Sequence, residues 1–220
     1  MKRTGRQEIE VKLRVADAAG MRQRLRRMGG RLLRRVHEMN TLFDTPGATL
    51  RKRGRLMRLR AETTQSGRPA AAAGPRKQAR YVLTFKGPAK REREKQKAPD
   101  GKRCDARYKV REETEFIVGD PRALLAVVNV AGMRPSFRYE KFRTSYSVPG
   151  AGGVHVEFDE TPAGVFLELE GPRRAIDRMA HRLGYRPADY ITVSYGVLHY
   201  EDCLRRGIPA GDMLFGSQKK

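Results

Sequence analysis

The chain opens with a strict alternation of polar and apolar positions. In EIEVKLRV, residues Glu8 to Val15, the side chains of Ile9, Val11 and Leu13 fall on one side while Glu8, Glu10 and Lys12 share the other, because successive side chains of a strand point to opposite faces. Taken alone, such a charged face is one turned to water. The alternation recurs, however. Arg58 and Arg60 flank Leu59, Lys86 lies opposite Leu83 and Phe85, and Arg111, Glu113 and Glu115 share one side of VREETEF. Lys141 and Arg143 flank Phe142, Glu157 and Asp159 flank Phe158, and Glu168 and Glu170 flank Leu169.

Between these strands the punctuation predicts helices and turns. Asp17 is placed to cap a helix over AAGMRQRLRRMGG, with Met21, Leu25 and Met28 at helical spacing and Gly29-Gly30 as its stop. RLLRRVHEMNTLFDTPG reads as an extended segment closed by the turn Asp44 to Gly47, and RKRGRLMRLRAE as a second one. YVLTFKG and RYKVREETEFIV are strands, separated by a polar excursion. Asp120-Pro121 starts a helix expected to turn Leu124, Leu125, Val127 and Val128 toward a core. FRYEKFRTSYSV, GVHVEFDET and GVFLELEG supply three more strands; helices are expected over PRRAIDRMAHRLG, after Gly171-Pro172, and SYGVLHYEDCLRRG. About eight strands with a few helices predict a mainly antiparallel α+β fold, its sheet closed into a tunnel-like barrel with flanking helices. One domain over residues 1–220 is expected, its core spanning about 6–205, with insertions near 61–80 and 88–107 and a short C-terminal tail.

Closure changes the meaning of the charged faces. If helices cover the apolar outer face, the charges point into the lumen, where seven bases and eight carboxylates of the repeated pattern would meet. Burying ions costs several kcal/mol each unless partners are present. Here each set neutralises the other, and together they suit a polyanion with its metal: carboxylates hold hard divalent cations such as Mg²⁺ or Mn²⁺, and Arg and Lys clamp phosphate oxygens.

Composition points the same way. Lys plus Arg total 47 against 25 for Asp plus Glu, a formal charge of +22 over 220 residues, so the expected partner is anionic and nonspecific attraction to polyanions is expected as well. Cys104 and Cys203 form no metal spacing and no disulfide framework, and His37, His155, His181 and His199 are scattered, so neither set is assigned a role. No apolar run approaches the roughly 18 residues needed to span a bilayer, and the expected setting is the cytoplasm, without a membrane partner.

The order of these motifs resembles that of the CYTH family, the triphosphate tunnel metalloenzymes, and GVFLELEGP and NTLFDTP look most like its bacterial class IV adenylyl cyclase-like branch. The matching features are E-x-E-x-K at Glu8, Glu10 and Lys12, NTLFDTP from Asn40, R-x-R at Arg58 and Arg60, LTFKGP with Lys86, and KVREETEF. K-x-R at Lys141 and Arg143, Asp159 in FDE, Glu168 and Glu170 in GVFLELEGP, and Ser194-Tyr195 complete the set. The resemblance implies an eight-stranded tunnel in which Glu8, Glu10, Asp159, Glu168 and Glu170 surround one or two divalent ions, with Glu8, Glu10 and Lys12 in the catalytic role. It also implies that Lys12, Arg58, Arg60, Lys86, Lys141 and Arg143 grip a triphosphate. Arg111 joins the binding cations by its place in the pattern, and Glu113, Glu115 and Glu157 are supporting carboxylates. Val193 stands where many relatives carry lysine. The implied activity is metal-dependent conversion of ATP to cyclic AMP and pyrophosphate; the alternative is hydrolysis of tripolyphosphate, thiamine triphosphate or a nucleoside triphosphate. A homodimer is also plausible by resemblance. A non-catalytic module binding RNA or polyphosphate accounts for the basic charge but leaves the paired carboxylates unused.

Overall fold

The computed structural model describes residues 6–64, 79–89 and 107–216. Eight strands form the frame: β1 Arg6–Val15, β2 Arg31–Asp44, β3 Leu56–Thr64, β4 Arg80–Lys86, β5 Lys109–Val118, β6 Arg134–Ser147, β7 His155–Thr161 and β8 Gly164–Glu170. They close in the order β1-β5-β4-β3-β2-β6-β7-β8, and every neighbouring pair is antiparallel. Closure leaves no free sheet edge, and it divides each strand into a lumen face and an outer face.

Helices cover much of the outer face. α1 (Ala18–Arg27) and α4 (Arg173–Arg182) set Met21, Leu25, Ile176 and Met179 against Val11, Leu13, Val156, Phe158, Leu167 and Leu169. These odd-numbered β1 side chains are the apolar set of the opening alternation. α1 begins where the Asp17 carboxylate accepts from the Gly20 amide at 2.9 Å, and it stops at Gly29, whose φ of 76° favours glycine. α5 (Tyr195–Arg205) packs Tyr195 and Leu198 on Phe166, Tyr139 and Met213.

Three expectations need correction. In α3 (Pro121–Val130) only Val128 is buried and Leu124 partly so, both against Phe43, Leu59 and Leu83; Leu125 and Val127 are exposed. A single helix side meets the barrel, so an apolar composition around the whole helix overstated its buried face. The segment before β3 is not all extended: Asp44 accepts from the amides of Thr45, Leu50 and Arg51 and anchors the short helix α2 (Thr49–Lys52). Finally, β3 continues through Thr64 and β4 begins at Arg80, so residues 61–64 and 80 are strand and not insertion; residues 65–78 and 90–106 of the two proposed insertions, Cys104 among them, lie outside the described residues.

Candidate functional site

The lumen holds a cavity of about 430 Å³. Glu8, Glu10, Lys12, Arg58, Arg60, Lys86, Arg111, Glu113, Glu115, Lys141, Arg143, Glu157, Glu168 and Glu170 all line it. Strand register explains the convergence: Glu10 lies between Lys109 on β5 and Glu170 on β8, Lys12 opposite Glu168, Lys86 opposite Glu113, and Glu38 between Glu62 and Lys141. Asp159 is fully enclosed behind this wall. Its oxygens accept from Lys141 Nζ at 2.8 Å, Arg143 Nε at 2.7 Å and the Tyr195 hydroxyl at 2.8 Å.

The charges pair closely. Lys86 Nζ lies 2.7 Å from Glu8 and 3.2 Å from Glu113. Lys12 reaches Glu10 and Glu168, each at 3.1 Å, and Lys109 reaches Glu10 at 2.6 Å. Arg143 bonds Glu168 as well as Asp159. Burial pushes the Glu10 carboxyl up, yet Lys12 and Lys109 reverse this and hold it well below its usual range. Glu168 follows the same course beside Lys12 and Arg143. Both stay ionised, as oxygen ligands for a hard cation must. Burial and the neighbouring Lys12 lower Lys109 to about 8.

Several side chains in or behind the cavity wall were missed by sequence reasoning. Lys109 shares the parity of Arg111 and Glu113, so its signal was present in the strand. Glu38 is completely buried on β2, 3.7 Å from Lys141, 3.8 Å from Arg60 and 3.9 Å from Arg143. Burial acts to raise its pKa, but the surrounding cations bring it down to about 2. Asn40, next along the lumen face, is fully enclosed, with neither amide atom hydrogen-bonded among the described residues. Arg34 and His155 also line the cavity, although no histidine was assigned a role. His37 meets Glu140 at 2.7 Å and the buried Cys203 remains a free thiol. Val193 is exposed beside the cavity-lining Ser194 and Tyr195.

The donor set fits a hard divalent ion in kind: Glu8, Glu10, Glu168 and Glu170 offer only oxygen and face one cavity. Among the described residues no three acidic, His or Cys side chains are gathered tightly enough to hold a metal; the oxygens of Glu8, Glu10 and Glu168 are turned to lysine and arginine instead. No helix among the described residues is long and apolar enough to cross a membrane.

No curated protein matches the sequence. Among solved structures, a candidate adenylate cyclase of Vibrio parahaemolyticus is 18% identical with a TM-score of 0.62, over 89% of this chain and 98% of its own. A Pyrococcus horikoshii OT3 protein is 21% identical with a TM-score of 0.64, over 89% and 99%. A candidate adenylyl cyclase of Hippeastrum, described as having dominant triphosphatase activity, is 17% identical with a TM-score of 0.54, over 92% and 97%. At these identities the likeness concerns the fold, and the sequence carries the assignment. The CYTH domain model matches residues 6–192, the span holding all eight strands and the charged lumen, and the chain belongs to the CYTH family.

Proposed function

We propose that this protein is a divalent-metal-dependent enzyme acting on a triphosphate in its tunnel, converting ATP to cyclic AMP and pyrophosphate in the manner of class IV adenylyl cyclases. The observation that carries the reading is the meeting of two opposite charge sets in one cavity. A polyanion needs the cations, and cations alone would suffice for simple binding; the cavity-facing carboxylates, which pair with those cations here, add the oxygen donors that a metal requires.

In this reading Arg58, Arg60, Arg111, Lys86, Lys141 and Arg143 bind the phosphate oxygens and hold the chain of phosphates in one register. Lys12 stands between Glu10 and Glu168, placed to follow the phosphate as charge shifts onto the leaving group. Glu8, Glu10, Glu168 and Glu170 would hold Mg²⁺ or Mn²⁺, which would withdraw charge from phosphate oxygens. Asp159, bonded to Lys141, Arg143 and Tyr195, would be a further oxygen donor for that ion. Glu113 and Glu115 tune Lys86, Arg58 and Arg60 beside them, and Glu157, which accepts from Ser145, lines the same wall. Such chemistry rests on positioning and neutralisation and requires no covalent nucleophile.

The same grip serves hydrolysis, with water as attacker at the terminal phosphorus, and the triphosphatase activity in the description of the Hippeastrum neighbour favours keeping this second reading. Incubating the protein with ATP and separately with tripolyphosphate, with Mg²⁺ or Mn²⁺ and with chelator, separates the two. Cyclic AMP and pyrophosphate from ATP are expected; orthophosphate alone supports hydrolysis, and turnover that survives chelation overturns both.

A further inference from the structure

The cavity wall is not charged all round. Along β3 the lumen positions read Leu56, Arg58, Arg60 and Glu62; along β6 they read Phe137, Tyr139, Lys141 and Arg143; along β2 they end in Glu38, Asn40 and Leu42. Antiparallel pairing places Leu42, Leu56 and Phe137 at the same end of the barrel, and all three line the cavity. Across that end Lys86 remains paired with Glu8. One mouth of the tunnel is therefore apolar on β2, β3 and β6 and charged on β1 and β4.

Support of α5 explains part of this apolar sector, since Leu42 and Phe137 also pack on Tyr139, Phe166, Tyr195 and Leu198. It does not explain Leu56, which belongs to none of the apolar clusters and faces the cavity. Phe137 lies flat along Tyr139, with ring centroids 5.9 Å apart and planes 23° apart. A Cβ on Gly196 would come within 3.3 Å of the Phe137 ring, so the glycine lets the start of α5 close on it. The boundary with the charged sector is fixed by Arg58, whose guanidinium donates to the Tyr139 hydroxyl at 3.2 Å and to Thr84 Oγ1 at 3.1 Å. Leu56 sits one inward position beyond Arg58, roughly 7 Å along the strand.

We infer that Leu42, Leu56 and Phe137 seat the planar organic group of the substrate, so the preferred ligand is a ring-bearing triphosphate and not inorganic tripolyphosphate. This rests on the triphosphate reading of the same cavity. A phosphate chain held by Arg58 and its neighbours has its organic end directed to this mouth, where a ring meets Phe137 and the leucines while its polar edge meets Ser194 or water. Arg58 would then mark the junction between the group that is recognised and the group that reacts.

The test compares ATP with tripolyphosphate on the full chain, reading Kd by calorimetry with Ca²⁺ and kcat/KM with Mg²⁺ or Mn²⁺. Phe137→Ala is expected to weaken ATP about tenfold, the scale of losing one stacked ring, while tripolyphosphate changes less than about twofold and so certifies the fold. Phe137→Tyr should keep most of the ATP affinity, and Leu56→Asn, which adds no charge beside its register partner Lys86, should lower it without loss on tripolyphosphate. An equal fall on both ligands, or no change on either, overturns the inference, as does a wild-type protein that binds tripolyphosphate and ignores ATP. A wild-type protein that binds neither overturns the triphosphate reading beneath it.

Discussion

Glu38 and Glu113 are both lumen carboxylates, yet their surroundings drive them in opposite directions. Glu38 is fully enclosed, with Lys141, Arg60 and Arg143 all within 3.9 Å. Glu113 stands in the more open part of the wall, where its one ion-pair partner among the described residues, Lys86 at 3.2 Å, is shared with Glu8. Burial raises both. For Glu38 the surrounding cations overcome it and the pKa falls to about 2; for Glu113 repulsion from Glu8 and Glu115 adds to burial and the pKa rises to about 7. Depth therefore does not set the state of a carboxylate in this tunnel; the local excess of cations over anions does.

The largest expected effect comes from removing a cation of the enclosed region. Arg143 makes two bonds to Asp159, a third to Glu168, and approaches Glu38. Arg143→Met would leave those anions to Lys141, Lys12 and Arg60, and the expected loss is about 3–5 kcal/mol, as for breaking buried ion pairs. Against a total stability of about 5–15 kcal/mol, urea denaturation should show a much lower midpoint. A loss below about 1 kcal/mol would mean that water, and not Arg143, neutralises these carboxylates.

Glu38→Gln removes the anion and keeps the shape. Its oxygens make no hydrogen bond within reach among the described residues, so its role is electrostatic, and a smaller loss of about 1–3 kcal/mol is expected. The three cations left in excess should welcome an added anion. Tripolyphosphate should then raise the melting temperature of the variant more than that of the wild-type protein. Equal stabilisation would show that the bound anion does not feel Glu38.

This residue also marks the limit of what the sequence discloses. β1, with Glu8, Glu10 and Lys12, shows a uniformly charged lumen face, and β8 ends in the inward pair Glu168 and Glu170, so parity alone reveals them. On β2 the lumen face runs through Arg34, Val36, Glu38, Asn40 and Leu42, a mixture that looks like no coherent face until β3 and β6 supply its partners. Tyr195 was visible as a motif, but its hydroxyl bond to Asp159 depends on where α5 begins relative to β7. The barrel was legible because period two is local. Ion pairing across the lumen was not, because it depends on register between strands far apart in the chain.

The open region offers a pH test. Below about pH 4.5 Glu113 is protonated in both folded and unfolded chains; from there to about 7 the folded protein keeps a proton that the unfolded chain has released. The folded state binds more protons in this window, so the contribution of Glu113 to stability falls as pH rises through it. Glu113→Gln should therefore match the wild-type protein near pH 4 and exceed it at pH 8, measured by denaturation midpoints at both. A variant no more stable at pH 8 would show that Lys86 holds Glu113 ionised.

The smallest effect is expected where the same kind of pair reaches solvent. Glu62 is buried, but two of its three cations are half exposed: Arg34 at 3.3 Å and Arg80 at 3.0 Å, with side chains 45% and 50% accessible. Arg60, the third, lies 3.0 Å away inside the lumen. Arg80→Ala leaves Glu62 with Arg60 and Arg34, and an exposed pair contributes about 0–1 kcal/mol, so a change below about 0.5 kcal/mol is expected with turnover unaltered. The double variant Arg34→Ala with Arg80→Ala should lose more than the sum of the single losses, because the second removal leaves Arg60 as the sole cation on a buried carboxylate. Strict additivity in urea denaturation would place Glu62 with the solvated pairs of the surface, and the electrostatic boundary of the tunnel would then lie one position inward, at Arg60.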